Sequence, residues 1–151
     1  MLIHDLLSPE RISLDLHAGS KKRLLELISE KLADNSSELD QREVFDSLVT
    51  RERLGSTGLG EGVAIPHGRV TGIHHVEAAF FRLSKPLAFE ATDGKPVDVL
   101  FALAVPEECG EDHLKLLAHI AELFSQPGFV EAVRSAETPA ALLKLLSGAG
   151  Q

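Results

Sequence analysis

Cysteine is nearly missing from this chain, whose 151 residues contain a single thiol, Cys109. One thiol cannot close an internal disulfide and cannot by itself build a cysteine-rich metal site. Long apolar runs are missing too: those present are too short and too often interrupted to cross a bilayer. Met1-Leu2-Ile3-His4-Asp5 lacks the basic segment and long apolar stretch of a secretory leader. Together these absences predict a cytoplasmic protein with no membrane span. Positive charge is also in deficit, with 15 Lys and Arg against 23 Asp and Glu and a formal net charge of −8. Such a field repels the phosphates of nucleic acid and anionic lipid, so neither is an expected partner. No internal repeat and no low-complexity tract interrupts the sequence, and the polar stretch from Asp34 to Asp40 and the tail 147–151 read as loop and frayed end.

What remains is the composition of a soluble globular protein, 44% hydrophobic and 25% charged, of a length that suits one domain with a sizeable core. The alternation in Ile12-Ser13-Leu14-Asp15-Leu16 predicts a short strand. Ser20 is placed to cap a helix carrying Leu24, Leu25, Leu27, Ile28 and Leu32 at helical spacing. Asp40 and Glu43 form a capping-box pattern for a second helix that ends near Arg53 and holds Arg51 in its last turn. Three segments then have strand character: Val63 to Ile65, Val76 to Leu83 and Val97 to Val105. The last is apolar throughout from Val99, as expected of a strand covered on both faces. Pro106 stops it, and a helix with Leu114, Leu117, Ala118, Ala121 and Phe124 follows until Pro127-Gly128. A short helix around Val130 to Arg134 and a last one starting at Thr138-Pro139 complete the pattern. Helices, then strands, then helices make a mixed α/β domain in which helices cover the sheet.

The chemistry is concentrated in Gly62-Val63-Ala64-Ile65-Pro66-His67-Gly68-Arg69. It sets one histidine at the end of a short apolar strand, between a proline that restrains the backbone and a glycine that lets it turn. His67 is therefore predicted to stand held and exposed, as a nucleophile would; an ordinary turn histidine is the alternative. Upstream, residues 50–61 carry glycines at 55, 58 and 60, three hydroxyl residues and the arginines Arg51 and Arg53. Such a loop is suited to wrapping an anion through guanidinium forks and backbone N–H groups, or else is a flexible connection. It is no phosphate-binding P-loop, since Gly-Lys-Ser/Thr is missing, and no dinucleotide fingerprint, since a strand and Pro66 follow where a helix should begin. For Arg53 and Arg69 a solvated surface position is preferred.

Of the other histidines, His4, His17, His74 and His75 read as surface residues, and His119 lies on no site-facing pattern. A metal site from His67, His74 and His75 lacks the paired or helical spacing that zinc sites display. His113 differs, because it falls in the first turn of the helix after the central strand. Ligands gather beyond strand ends in α/β sheets, and a helix N-terminus favours an anion while disfavouring the imidazolium. A neutral His113 is expected to donate a hydrogen bond to a phosphate there; a helix-terminal surface histidine is the alternative.

The run from Arg51 to Arg69, followed by Pro96-Val97-Asp98-Val99-Leu100-Phe101-Ala102-Leu103 and by Asp112-His113-Leu114, resembles the enzyme IIA domain of the mannitol/fructose class of the bacterial phosphotransferase system (PTS). The resemblance is strongest to the nitrogen-regulatory IIA members and covers almost the whole chain in order. It implies one EIIA type-2 domain over residues 1–151, with a three-layer α/β/α fold whose mixed sheet is flanked by helices on both faces. It implies a phosphotransferase working through a phosphohistidine intermediate, without metal, nucleotide or other cofactor. His67 then matches the histidine phosphorylated on Nε2 by an HPr-like phosphocarrier, His113 the supporting histidine, and Arg51 the residue that neutralises phosphoryl charge. A nitrogen-related member would regulate target proteins such as transporters or kinases through phosphorylation-dependent binding. The alternatives are a fructose/mannitol-type component that passes phosphate to a IIB domain and an anion-binding module that is never covalently modified.

Overall fold

The computed structural model describes residues 3–108 and 110–149, so Cys109 lies outside the described residues, as does the side chain of His4. Two short 3-10 turns, Ile3–Asp5 and Pro9–Arg11, lead into strand β1 (Ile12–Leu16). Helices α1 (Lys21–Asp34) and α2 (Gln41–Arg53) precede strands β2 (Gly58–Gly60), β3 (Val63–Ala64), β4 (His67–Val70), β5 (Glu77–Leu87) and β6 (Val97–Pro106). Helices α3 (Asp112–Phe124), α4 (Phe129–Ser135) and α5 (Pro139–Ala149) follow.

The strands form one mixed sheet in the order β1-β5-β6-β3-β2, with β4 pairing β6 further along the edge that β3 occupies. β5 runs antiparallel to β6, while β3 and β4 both run parallel to it, in registers that set Val63 beside Val99 and His67 beside Leu103. Alternation along β6 explains the layers. Val99, Phe101, Leu103 and Val105 point to one core with Leu116, Ile120 and Leu123 of α3, Val130 and Val133 of α4, and Leu142 and Leu146 of α5. Leu100, Ala102 and Ala104 point the other way, to Leu24, Ile28 and Leu32 of α1 and Val44 and Leu48 of α2. The sheet is thus sandwiched between two helical layers, as the uninterrupted apolar run of β6 predicts.

The caps follow the sequence closely. Ser20 Oγ accepts from Arg23 N–H, Asp40 Oδ2 from Glu43 N–H and Thr138 Oγ1 from Ala141 N–H. The capping box is only half made, however, because Glu43 Oε1 accepts from the backbone N–H and hydroxyl of Thr71 at 2.7 and 2.8 Å. Glu43 thereby ties the start of α2 to the residue after β4. Two strands escaped the sequence pattern, β2 inside the glycine-rich stretch and β4 directly after Pro66. Each is too short to show a period of its own.

Gly68 decides how near α2 comes to β4. A Cβ at this position would lie 2.8 Å from both the backbone carbon and the Cβ of Ser47 on α2. Gly68→Ala must push α2 off the strand, at a cost of roughly 1–3 kcal/mol typical of overpacking. The expected result is a lower urea midpoint with an unchanged slope; an unaltered midpoint would contradict the close approach.

Candidate functional site

β4 is an edge strand, and at its start the C-terminal half of α2 and the first turn of α3 converge. Between them lies a cleft of about 660 Å³, lined by Ser47, Thr50, Arg51 and Leu54 of α2 and the turn after it, His67 and Arg69 of β4, and His113 and Leu114 of α3, among others. The structure therefore gathers His67, His113 and Arg51, from three separate elements, around one opening. Leu54 and Leu114 stand on its rim with 81% and 55% of their surface exposed, unusual for leucine and suited to a protein surface that meets another.

His67 opens β4 and is half-buried, rather than standing free beyond a strand end. Its Nδ1 lies 2.8 Å from the carbonyl oxygen of Ile65. A carbonyl only accepts, so Nδ1 carries the ring proton and Nε2 keeps its lone pair. Burial pushes the pKa of His67 below the ordinary histidine value and the charge of Arg51 adds to the depression, while the Ile65 carbonyl and Glu52 oppose it. The imidazole is thus held neutral, in one tautomer, with Nε2 as its nucleophilic atom.

Arg51 sits in the last turn of α2, lines the cleft and donates from Nη1 to the carbonyl of Gly55 at 2.8 Å; among the described residues it forms no ion pair. Next to it, Glu52 turns inward with a side chain only 5% exposed and pairs with Lys21 Nζ at 3.0 Å. Glu52 also accepts from the backbone N–H of Thr57 at 3.2 Å and from its hydroxyl. This buried carboxylate anchors the glycine-rich stretch to α1 and α2. The N–H of Gly58 is taken by Ser56 Oγ, and that of Glu61 by Asp93 Oδ2. The stretch is therefore not an open nest for an anion: the N–H groups of Thr57, Gly58 and Glu61 are spent on holding the scaffold.

His113 is 7% exposed and lies in the first turn of α3, as the sequence places it. Its ring proton is not directed at the cleft. Nδ1 donates to the carbonyl of Gly110 at 2.7 Å, and Nε2 accepts from Arg69 Nη2 at 3.4 Å. The expectation that a neutral His113 donates to a phosphate is thus not met in this state, because its one N–H is already used. Arg69, expected as a solvated surface residue, is indeed exposed, and it also lines the cleft and contacts His113. The i, i+2 spacing of His67 and Arg69 is the signal that would have found it, had β4 been visible as a strand. Glu52 carries no such signal. Arg53 lines a separate groove between α1 and α2. His74 and His75 lie in the bend before β5, within ion-pair reach of Glu38, with His75 also 3.4 Å from Glu77. Among the described residues no three histidine, cysteine or carboxylate side chains converge as metal ligands.

Comparison with known proteins agrees with this fold. The sequence model of the family "Phosphoenolpyruvate-dependent sugar phosphotransferase system, EIIA 2" matches residues 5–149. A nitrogen regulatory protein of Pseudomonas aeruginosa is 42% identical over 144 residues, 95% of this chain and 94% of that protein. One from Bradyrhizobium diazoefficiens is 40% identical over 147 residues, 97% of this chain and 95% of that protein. The crystal structure of nitrogen regulatory protein IIA-Ntr from Neisseria meningitidis superposes with a TM-score of 0.89 at 42% identity, covering 95% of this chain and 98% of that one.

The lowered pKa of His67 has a definite sign in stability. The folded protein takes up this proton less readily than the unfolded chain, so the contribution is full above about pH 6.5, the ordinary histidine value. It is lost as pH falls from there to the lowered value. NMR titration of the His67 ring is expected to give a midpoint below 6.5, and Arg51→Gln should move it upward by removing a nearby positive charge. A midpoint at or above the ordinary value would contradict the buried, cation-flanked setting.

Proposed function

The chain belongs to the EIIA 2 family of the phosphoenolpyruvate-dependent sugar phosphotransferase system, and from that premise we propose that it is the phosphohistidine carrier of a nitrogen-related branch. Phosphotransfer follows from the family. The nitrogen-related assignment is supported by relatives of 42% and 40% identity, aligned almost end to end, which bear the name nitrogen regulatory protein. In this reading an HPr-like phosphocarrier delivers a phosphoryl group to His67, and target proteins such as transporters or kinases respond to its presence.

The observation that carries the reading is the hydrogen bond from His67 Nδ1–H to the Ile65 carbonyl. It presents Nε2 with its lone pair to the cleft, so the attacking nitrogen needs no general base. In the transfer, the lone pair of Nε2 forms the new N–P bond in line, while the P–N bond of the donor phosphohistidine breaks and its electron pair returns to the donor ring. No proton has to move. The phosphorylated ring keeps its Nδ1–H on Ile65 and is formally an imidazolium, whose later departure as a neutral imidazole keeps the phosphoryl group transferable. Catalysis is then mainly positioning and charge stabilisation, and Arg51 supplies a guanidinium for the equatorial oxygens.

The same group supplies the switch. A phosphoryl group brings about −1.5 to −2 of charge and three strong acceptors to a cleft rimmed by Leu54 and Leu114. A partner that seats on those leucines meets a different charge in each state.

The test is incubation with phosphoenolpyruvate, enzyme I and a charged HPr-like carrier, read by intact mass and acid lability. Wild type is expected to gain one acid-labile phosphoryl group and His67→Ala none, with Arg51→Ala gaining it more slowly. Adduct formation on His67→Ala at the normal rate would remove the assignment. Onward transfer to a fructose- or mannitol-type IIB domain at a rate comparable to loading would instead favour the sugar-transport role.

A further inference from the structure

We propose that Arg69 binds the phosphoryl group directly and that His113 is a positioning residue acting through it, an inference that rests on His67 being the phosphorylated residue. The chain of contacts is short. The Gly110 carbonyl takes the Nδ1 proton of His113 at 2.7 Å, which commits Nε2 to being an acceptor. Arg69 Nη2 donates to that nitrogen at 3.4 Å. His113 therefore presents a lone pair, and a lone pair repels a phosphoryl oxygen. What it offers the site is a fixed acceptor that aims a guanidinium, with four of its five N–H donors left over.

Strand geometry points the same way. Gly68 faces Ser47 of α2, so its neighbours His67 and Arg69 project together on the other side of β4, toward α3. Arg51 arrives from α2, so two guanidinium groups flank His67 from different elements. The carboxylates of α2 that line the cleft are engaged, Glu43 by Thr71 and Asp46 by Arg42 at 3.4 Å. Among the described residues no carboxylate forms an ion pair with Arg51 or Arg69. Two unpaired guanidiniums beside a nucleophilic nitrogen, in a chain of net charge −8, suit a dianion that arrives and leaves.

The experiment measures the rate of phosphoryl transfer from a charged HPr-like carrier to wild type and four variants. Arg69→Gln is expected to slow loading roughly 10- to 100-fold, the loss of one charge-assisted contact. His113→Asn, whose amide can still donate to Gly110 but whose oxygen does not reach the place where Nε2 accepts from Arg69, should fall to a similar rate. The double variant Arg69→Gln/His113→Asn should be no slower than either single one. His113→Gln, whose side-chain oxygen reaches where Nε2 accepts, should keep most of the rate. Losses that multiply in the double variant, or Arg69→Gln loading at the wild-type rate, overturn the proposal.

A second measurement is independent of whether the variants fold well. In wild type, 15N NMR of the His113 ring should show an unprotonated Nε2 both before and after phosphorylation. A proton appearing on Nε2 after phosphorylation would mean that His113 donates directly, and would overturn the positioning role. If wild type takes up no acid-labile group from a charged carrier, the His67 reading falls and this inference with it. Normal loading of both wild type and Arg69→Gln overturns the inference alone.

Discussion

The close approach of α2 to β4 is the constraint on which the cleft depends. A glycine at 68 removes the one side chain that would separate Ser47 from the strand, and Glu43 fastens the start of the helix to Thr71 just after the strand. α2 then carries Arg51 to the edge where His67 begins β4. β4 in turn is fixed against the central strand, with His67 beside Leu103, and β6 is locked by apolar packing on both faces. A small change at Gly68 would therefore reach the reactive nitrogen through backbone contacts, although it removes no group from the cleft.

Electrostatics at the site run against the character of the whole chain. The molecule is acidic overall, which discourages unrelated anions, while among the described residues the two guanidinium groups at the cleft form no ion pair with a carboxylate. Burial and the Arg51 charge keep His67 neutral, and neutrality is what leaves Nε2 nucleophilic. The cations that lower the basicity of His67 would thus also attract the group it accepts. Nearby, the buried Glu52 engages Lys21 and Thr57, so its charge serves the scaffold and does not cancel Arg51 directly.

Much of the architecture was legible in the sequence because its signals are local. The caps at Ser20, Asp40 and Thr138 and the continuous apolar run of β6 each state their structure within a few residues. β2 and β4 were not legible, since short strands are defined by their partners and not by their own pattern. Arg69 is exposed, as its sequence setting suggests, but its place at the cleft was not legible: without a strand, nothing links residue 69 to His67 or to a helix 44 positions away. His113 was placed correctly in a first helical turn, yet the direction of its proton depends on the carbonyl of Gly110, a backbone contact that no residue pattern announces. The glycine-rich stretch was read as an anion nest for its composition, whereas its N–H groups at Thr57, Gly58 and Glu61 are spent on Glu52, Ser56 and Asp93.

The central claim concerns one atom, Nε2 of His67, and correlated 31P and 15N NMR of the phosphorylated protein tests it most directly. The account predicts coupling of phosphorus to Nε2 of His67, with the proton on Nδ1 retained in its hydrogen bond to Ile65. Phosphorus coupled to Nδ1, or carried by any residue other than His67, would contradict it.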